Sequence, residues 1–328
     1  MTATAPDLRQ LAERVSNALG GTRIRELGPL AGGASGLTYL AVSADGMRVV
    51  VKVAPRGVPP VRNRDVLRQA ALLRRLASVP GVAVPAVLFD APGESLDVPP
   101  LFGCEFVAGE ALEPIMDPDV VLPPPQRIAA RARHAAAMLA ALHAAPATVL
   151  GDEPAVGLHA EVARWQRVFE TASVEHGPLA TMVRDALLAG LPAALPATVV
   201  HGDFRLGNLL CRGDRVRAVI DWEIWAASDP RVDLLWFLSF THPDRMPTAV
   251  RAAPGMPDAE ELLAAYRAAG GGDPCDLTWF DALVRFKHAA VTALLAKHNG
   301  RRAVPDRRLA RAVETVPGSL RTAIALLD

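Results

Sequence analysis

Residues 198–223, TVVHGDFRLGNLLCRGDRVRAVIDWE, form the stretch that decides the fold. Two short apolar runs flank the turn residues Arg-Gly-Asp-Arg at 212–215, a composition typical of a β-hairpin. Residues at the open end of an antiparallel hairpin lie side by side, so we expect Asn208 and Asp221 to be neighbours. Asp203 belongs to the loop that leads into the same end.

The residue types in this stretch indicate a metal and phosphate site. Asn208 and Asp221 would offer hard oxygen ligands, which suit a Mg²⁺ ion that keeps some water and shares phosphate oxygens, rather than zinc. Asp203 is then a candidate general base, a role that contributes roughly 10²- to 10⁴-fold to a rate. The alternative is a plain core hairpin with an exposed acid at each end. The joint spacing of the three residues favours the metal site.

The composition limits the class of protein. With 328 residues, 51% of them hydrophobic, the chain is large enough for two globular lobes. Its 35 basic and 35 acidic residues balance, which gives no electrostatic signal for nucleic acid or an anionic membrane. Three widely spaced cysteines predict neither disulfides nor a zinc site. Without a signal pattern or about 18 consecutive apolar residues, we expect a soluble cytoplasmic protein.

The N-terminal part predicts three successive strands at 24–30, 37–42 and 49–53. The first link, AGGASG at 31–36, is rich in glycine, so its backbone amides could approach a phosphate; a bland glycine hairpin is the alternative. Lys52 lies in the middle of the apolar third strand. A buried ammonium there requires a partner or an anionic ligand, whereas a lysine on a solvated strand face would not.

The second half of the chain is helical, apart from the hairpin. Helices are predicted over 126–145, 161–170, 179–191, 258–269, 277–298 and 307–327. We therefore predict an α+β protein with a strand-rich lobe at 1–106 and a helical lobe at 107–328 that carries the catalytic loop and the acceptor site. His143 is interpreted as a core or capping histidine, and Asp233 as an acid that caps amides in the first turn of a helix.

The order of these elements is that of a kinase. His201, Asp203, Asn208 and Asp221 reproduce the spacing of a protein-kinase catalytic loop and its later metal-binding acid. The wording HGDFRLGN with IDWE resembles the aminoglycoside phosphotransferase family of small-molecule kinases. The resemblance extends through GGASGLTYL, VVVKVAP, FVAGE, LAALHA and SDPRVDL. GDFRLGN and GGASGLTY resemble most the branch with kinase-like domains fused to some acyl-CoA dehydrogenases.

The resemblance implies a bilobal protein-kinase-like fold and a role for each matching residue. Asp203 would be the catalytic base or hydroxyl-orienting acid, and Asn208 and Asp221 would hold Mg²⁺. Arg205 would either neutralise phosphate charge or tie down the loop, and His201 would brace the loop. The implied nucleotide-binding positions are Lys52 at the α- and β-phosphates, Gly32, Gly33 and Ser35 over the phosphates, and the backbone of Glu105 and Val107 at the adenine.

One position departs from the family pattern. Family members usually place a glutamate on the helix after the lysine strand, where it pairs with that lysine, and the matching position here is Gln69. A neutral amide can accept a hydrogen bond from Lys52 but cannot neutralise it, so Lys52 would depend on another acid or on the nucleotide. An offset alignment would instead match Asp65, one helical turn earlier.

The sequence thus predicts an O-phosphotransferase that uses ATP, with GTP as the alternative nucleotide, on a hydroxyl of a small molecule. The alternative is a catalytically silent nucleotide-binding scaffold protein. A protein kinase is disfavoured because the segment 221–233 leaves no room for a long activation loop. Acids after Asp233 are scattered among arginines, so a neutral or anionic acceptor is favoured over a polycationic aminoglycoside.

Overall fold

A computed structural model of the chain describes residues 7–30, 37–173, 175–302 and 304–328. The predicted glycine turn, with Gly32, Gly33 and Ser35, lies outside the described residues.

The strands of the described residues are short. They are β1 (Ile24–Pro29), β2 (Thr38–Ser43), β3 (Arg48–Val53), β4 (Val87–Ala91), β5 (Leu101–Glu105), β6 (Ala155–Val156), β7 (Thr198–Val200), β8 (Leu209–Arg212), β9 (Arg215–Val219) and β10 (Ala226–Ser228). The helices are α1 (Leu8–Ala18), α2 (Val66–Leu76), α3 (Pro125–His143), α4 (Leu158–Ala172), α5 (Gly177–Ala189), α6 (Arg231–Ser239), α7 (Ala259–Ala268), α8 (Leu277–Asn299), α9 (Arg307–Ala312) and α10 (Val316–Ala325). This arrangement confirms the predicted α+β class.

The chain divides into two compact units. Met1–Ala111 and Asn208–Trp225 form one of them, which we call the sheet unit. Leu112–Gly207 and Ala226–Asp328 form the other, the helical unit. The 106/107 lobe boundary stays a prediction.

The sheet unit contains five antiparallel strands in the order β1-β2-β3-β5-β4. Val49, Val51 and Val53 of β3 are buried in its core, where helix α1 also packs. Successive side chains of a strand point to opposite faces, so Lys52 points away from this core. On that face its β2 neighbour is Thr38.

The hairpin β8/β9 also belongs to the sheet unit. The amide of Val219 donates to the carbonyl of Ala83 over 2.8 Å, and Glu110 and Cys211 exchange two backbone hydrogen bonds of 2.9 Å. These bonds attach the hairpin to chain segments before and after β4 and β5. The predicted hairpin is confirmed, with its turn at Gly213, whose φ is +61°.

The helical unit contains helices α3 to α10 and a small sheet in the order β6-β10-β7. Helix α8 packs against α4, α6 and α10, and Phe286 of α8 stacks on Phe169 of α4 with ring centroids 6.4 Å apart. Helix α7 begins at a capping box in which Asp258 and Glu261 each accept the backbone N–H of the other. Over the described residues, each helix is too short or too polar for a membrane span.

Candidate active site

The hairpin end brings the two predicted metal ligands to one place in the sheet unit. Leu209 pairs with Val219, and beyond this pair the amide of Ile220 donates to the carbonyl of Asn208 over 2.9 Å. Asp221 follows directly, with a φ of +66° in the left-handed region. A non-glycine residue adopts this conformation at a cost, and such residues concentrate at functional sites. The expected hairpin geometry is confirmed, and the metal role stays a prediction.

The segment after Asp221 is anchored by its tryptophans. Trp222 is buried and its indole N–H donates to the carbonyl of Val219 over 2.9 Å. Trp225 is also buried; its carbonyl accepts a bond of 2.9 Å from Arg68, whose guanidinium lies 3.8 Å from the ring centroid. A 3-10 helix, Trp222–Ile224, joins the two. The side chains of Asp221 and Glu223 stay 37% and 32% exposed, so they are the groups of this segment that a ligand can meet.

Lys52 meets both of these acids. Its Nζ lies 3.1 Å from Oδ1 of Asp221 and 3.5 Å from Oε1 of Glu223. Gln69 is buried on α2 and takes no part in these contacts. Asp65, the offset alternative, caps α2 by accepting the N–H groups of Leu67 and Arg68. The acid on which Lys52 depends is therefore in residues 221–225, which we call the DWE segment. This partner was not predicted from the sequence.

The predicted adenine-binding residues lie at the end of strand β5 and just beyond it. Glu105 is its last residue, and the N–H of Glu105 donates to the carbonyl of Ala86 over 2.9 Å. Phe106 comes next, with the guanidinium of Arg48 3.9 Å from its ring centroid, and then Val107. The adenine-binding role of Glu105 and Val107 stays a prediction.

The oxygen donors of the hairpin end suit a magnesium ion. In the described part of the chain, no group of three or more His, Cys, Asp and Glu side chains could hold a metal ion by itself. Asn208 and Asp221 supply two oxygen-bearing side chains. That number fits Mg²⁺, which is usually bound by one or two carboxylates together with water and substrate phosphates.

Residues 201–207 of the predicted catalytic loop lie in the helical unit, where β7 leads into buried His201. The amides of His201 and Gly202 both donate to the carboxylate of Asp233, the latter over 2.8 Å. Asp233 is fully buried in the first turn of α6. Its structural role is as expected, but the expected partners were wrong: the amides belong to the loop and not to its own helix.

The charge state of Asp233 follows from its surroundings. Burial raises the pKa of Asp233, but the imidazole of His143, whose Nε2 lies 3.9 Å from Oδ2, and the charges of His201 and Lys287 outweigh the effect of burial and place the pKa below its usual value. His143 is itself buried, with Nδ1 2.9 Å from the hydroxyl of Tyr266. The prediction of a core histidine is confirmed.

Hydrogen bonds hold both the side chain and the backbone of Asp203. Its Oδ1 accepts the indole N–H of Trp236 over 2.7 Å and the Nε–H of Arg205 over 3.2 Å. Its own backbone N–H donates to Nδ1 of His201 over 3.1 Å. The side chain remains 25% exposed. The carboxylate is thus oriented and still accessible, as a base or hydroxyl-orienting acid must be.

A buried lysine donates a hydrogen bond to this loop. Lys287 of α8 donates to the carbonyl of Gly202, and its Nζ lies 3.6 Å from the ring centroid of Trp236. Burial lowers the pKa of Lys287 to about 8, although Asp203, among other acids, opposes the shift. Trp236 also stacks on His288, with ring centroids 4.3 Å apart. The sequence analysis missed Lys287; the signal was a lysine inside the apolar pattern of a helix.

Arg205 lies between two acids. Besides its bond to Asp203, its Nη1 is 3.7 Å from Oε2 of Glu113, which also accepts the amide of Gly207 over 3.0 Å. Burial raises the pKa of Glu113 to about 7. Of the two roles considered for Arg205, these contacts support the one that ties down the loop.

Comparison with known proteins agrees with this geometry. The model of the APH phosphotransferase enzyme family matches residues 26–276. Mouse acyl-CoA dehydrogenase family member 10 is 27% identical over 277 residues, which are 79% of this chain and 25% of that protein. The chain therefore spans about a quarter of the length of this relative.

Two solved structures show the same fold. A candidate aminoglycoside phosphotransferase from Ralstonia eutropha superposes with a TM-score of 0.76 at 20% identity, covering 98% of each chain. A mutant of aminoglycoside phosphotransferase APH(4)-Ia, in a ternary complex with AMP-PNP and hygromycin B, gives a TM-score of 0.62 at 15% identity and covers 97% of this chain and 98% of its own. The predicted kinase-like fold and family resemblance are confirmed: the chain belongs to the APH phosphotransferase enzyme family.

Proposed function

We propose that this chain is an O-phosphotransferase that moves the γ-phosphoryl group of ATP, or alternatively GTP, to a hydroxyl of a small molecule. The observation that carries the proposal is the contact of 3.1 Å between Lys52 and Asp221. It joins the predicted phosphate-binding cation to the predicted metal-binding acid. Family membership and the AMP-PNP complex of the APH(4)-Ia relative support it.

In the proposed transfer, Asp203 acts on the acceptor hydroxyl. Asp203 would orient the acceptor hydroxyl and take its proton as the oxygen forms a bond to the γ-phosphorus. The bond between that phosphorus and the bridging oxygen of the diphosphate breaks, and ADP leaves. Trp236 and Arg205 hold the Asp203 carboxylate in one orientation throughout.

The nucleotide would be bound by groups of the sheet unit and the glycine turn. Lys52 would bind the α- and β-phosphates, Gly32, Gly33 and Ser35 would cover the phosphates, and the backbone of Glu105 and Val107 would meet the adenine. Asn208 and Asp221 would hold Mg²⁺, which when bound neutralises charge on the phosphate oxygens.

The acceptor is proposed to be neutral or anionic. Three acids that follow Asp233 are already paired with arginines: Asp273 with Arg267 at 2.6 Å, Glu261 with Arg133 at 2.9 Å and Asp281 with Arg285 at 3.3 Å. A polycationic aminoglycoside would have to displace these arginines to reach the three carboxylates. These pairs therefore support an acceptor that does not need an acidic surface.

A substrate screen tests the proposed function. The protein is incubated with Mg²⁺, ATP and panels of neutral, anionic and cationic hydroxylated compounds, and ADP formation is measured. We expect turnover with a neutral or anionic compound, and a loss of about 10²- to 10⁴-fold for Asp203→Asn, because the base is removed while the shape is kept. Undiminished transfer by this variant would show that Asp203 is not the base.

The alternative, a catalytically silent scaffold, was motivated by Gln69. The two acids at Lys52 weaken that motivation, because the lysine has charged partners without a glutamate on α2. Binding of Mg²⁺ and AMP-PNP, with no ATP hydrolysis and no transfer to any compound of the screen, would favour the silent protein.

A further inference from the structure

We propose that Glu223 is the residue that positions Lys52 for nucleotide binding, in place of the helix glutamate that this chain lacks. The inference rests on the proposed function, since it concerns the nucleotide site of that reaction. It assigns a role to a residue that the motif comparison left without one.

Lys52 and a bound Mg²⁺ would compete for Asp221. Lys52 has two carboxylate contacts, at 3.1 Å to Asp221 and 3.5 Å to Glu223. If Asp221 holds Mg²⁺, its oxygens are directed to the metal and its share in the lysine contact falls. Glu223 is then the carboxylate that keeps the ammonium in place.

Glu223 is preorganised by the segment that carries it. It lies in the 3-10 helix Trp222–Ile224. Asp221, with its left-handed backbone, precedes this helix, and buried Trp225 follows it. The buried indole of Trp222 holds the segment by its bond to Val219. Because the backbone is fixed on both sides, Glu223 reaches Lys52 with little loss of chain entropy.

Helix α2, which carries Gln69, is attached to the same segment. Arg68 of this helix stacks on Trp225 and donates to its carbonyl over 2.9 Å. The helix is thus attached to the DWE segment by a residue next to Gln69, without a charge pair to Lys52. The position of Lys52 and the position of α2 are set through the same segment, which removes the need for a glutamate at residue 69.

The experiment measures binding of AMP-PNP with Mg²⁺ by calorimetry, which needs no acceptor. The variants are Glu223→Gln, Lys52→Met, the double variant, and Gln69→Met as the matched control. We expect Glu223→Gln to weaken binding about tenfold. This loss corresponds to a free energy between that of an exposed ion pair and that of a hydrogen bond to a charged group. Gln69→Met should bind like the parent protein, since Gln69 takes no part in the described Lys52 contacts.

The double variant separates positioning from other roles. If Glu223 acts through Lys52, Lys52→Met with Glu223→Gln binds no more weakly than Lys52→Met alone. A further tenfold loss in the double variant would overturn the inference, because Glu223 would then act directly on the metal or nucleotide. Unchanged or tighter binding by Glu223→Gln would overturn it as well.

The failure of this inference differs from failure of the proposed function. If the parent protein binds no nucleotide with Mg²⁺, the proposed function is wrong and Glu223 has no nucleotide role. If the parent protein binds and Glu223→Gln binds equally well, only the role of Glu223 is wrong. Thermal unfolding of each variant checks that folding is retained, which we expect because the Glu223 side chain is 32% exposed.

Discussion

Two lysines, one in each unit, show two ways of placing a positive charge. Lys52 of the sheet unit has a side chain 17% exposed and contacts two carboxylates. Lys287 of the helical unit is buried and contacts a carbonyl and an indole ring, with the acids acting on it from further away. The pKa of Lys287 falls from 10.5 to about 8, so its surroundings do not fully offset the cost of burying the charge.

The difference separates a charge that a ligand can reach from one that supports neighbouring residues. A partly exposed ammonium between two acids can exchange a carboxylate for a phosphate. A buried ammonium cannot meet a ligand, and it lowers stability as long as it is charged. Lys287 therefore acts through two residues next to Asp203. It contacts Gly202, which precedes Asp203 in the chain, and Trp236, whose indole N–H donates to the Asp203 carboxylate.

Among the substitutions that compare the two lysines, Lys287→Met should have the largest effect on kcat. Transfer to an acceptor found in the screen should fall about 10- to 100-fold in kcat, because misorienting the Asp203 carboxylate removes part of the contribution of a general base. Binding of AMP-PNP with Mg²⁺ should be unchanged. Lys52→Met should instead weaken the binding of AMP-PNP with Mg²⁺. Lys297→Met, on the same helix α8, is the matched control and should retain the parent kcat. Equal losses of nucleotide affinity in Lys287→Met and Lys52→Met would remove the distinction between the two lysines.

The pH dependence of stability gives the next effect. A lysine with a folded pKa of about 8 and an unfolded pKa of 10.5 holds fewer protons in the folded state between these values. The unfolding free energy of the parent protein should therefore rise, relative to Lys287→Met, as the pH increases from 8 to 10.5. The change should be on the order of 3 kcal/mol.

Below pH 8 both states of the lysine are charged, so the difference between the two proteins should be constant, with the methionine variant at least as stable as the parent. Urea unfolding at a series of pH values measures it. A flat difference from pH 8 to 10.5 would mean that Lys287 is not held at a depressed pKa.

The sequence predicted the sheet unit better than the helical site, for physical reasons. The hairpin and Lys52 were found because period-two apolar runs and a turn of fixed length are local signals. Lys287 was missed because its meaning depends on Gly202, 85 residues away along the chain. The predicted partners of Asp233 were wrong for the same reason. An acid in the first turn of a helix is expected to accept amides of its own helix, and only the folded chain brings the loop amides to it.

Glu223 is the intermediate case. It belongs to the stretch that decided the fold, yet its role could not be read there. Its direction depends on the left-handed backbone of Asp221 and the 3-10 turn after it, and a non-glycine residue does not predict a positive φ. Local pattern thus located the segment, and the conformation of one residue set where its acid points.

The smallest effect is expected from Trp236→Phe, which sharpens the account of the helical site. The change removes the indole N–H that donates to Asp203 over 2.7 Å and keeps an aromatic ring beside Lys287 and His288. A single hydrogen bond to a charged group contributes about 1.5 kcal/mol, so kcat should fall about tenfold or less. The KM for nucleotide should not change. Arg205 still donates to the carboxylate in this variant, which is why the loss is smaller than for Asp203→Asn. A loss as large as that of Asp203→Asn would show that Trp236 meets the acceptor itself.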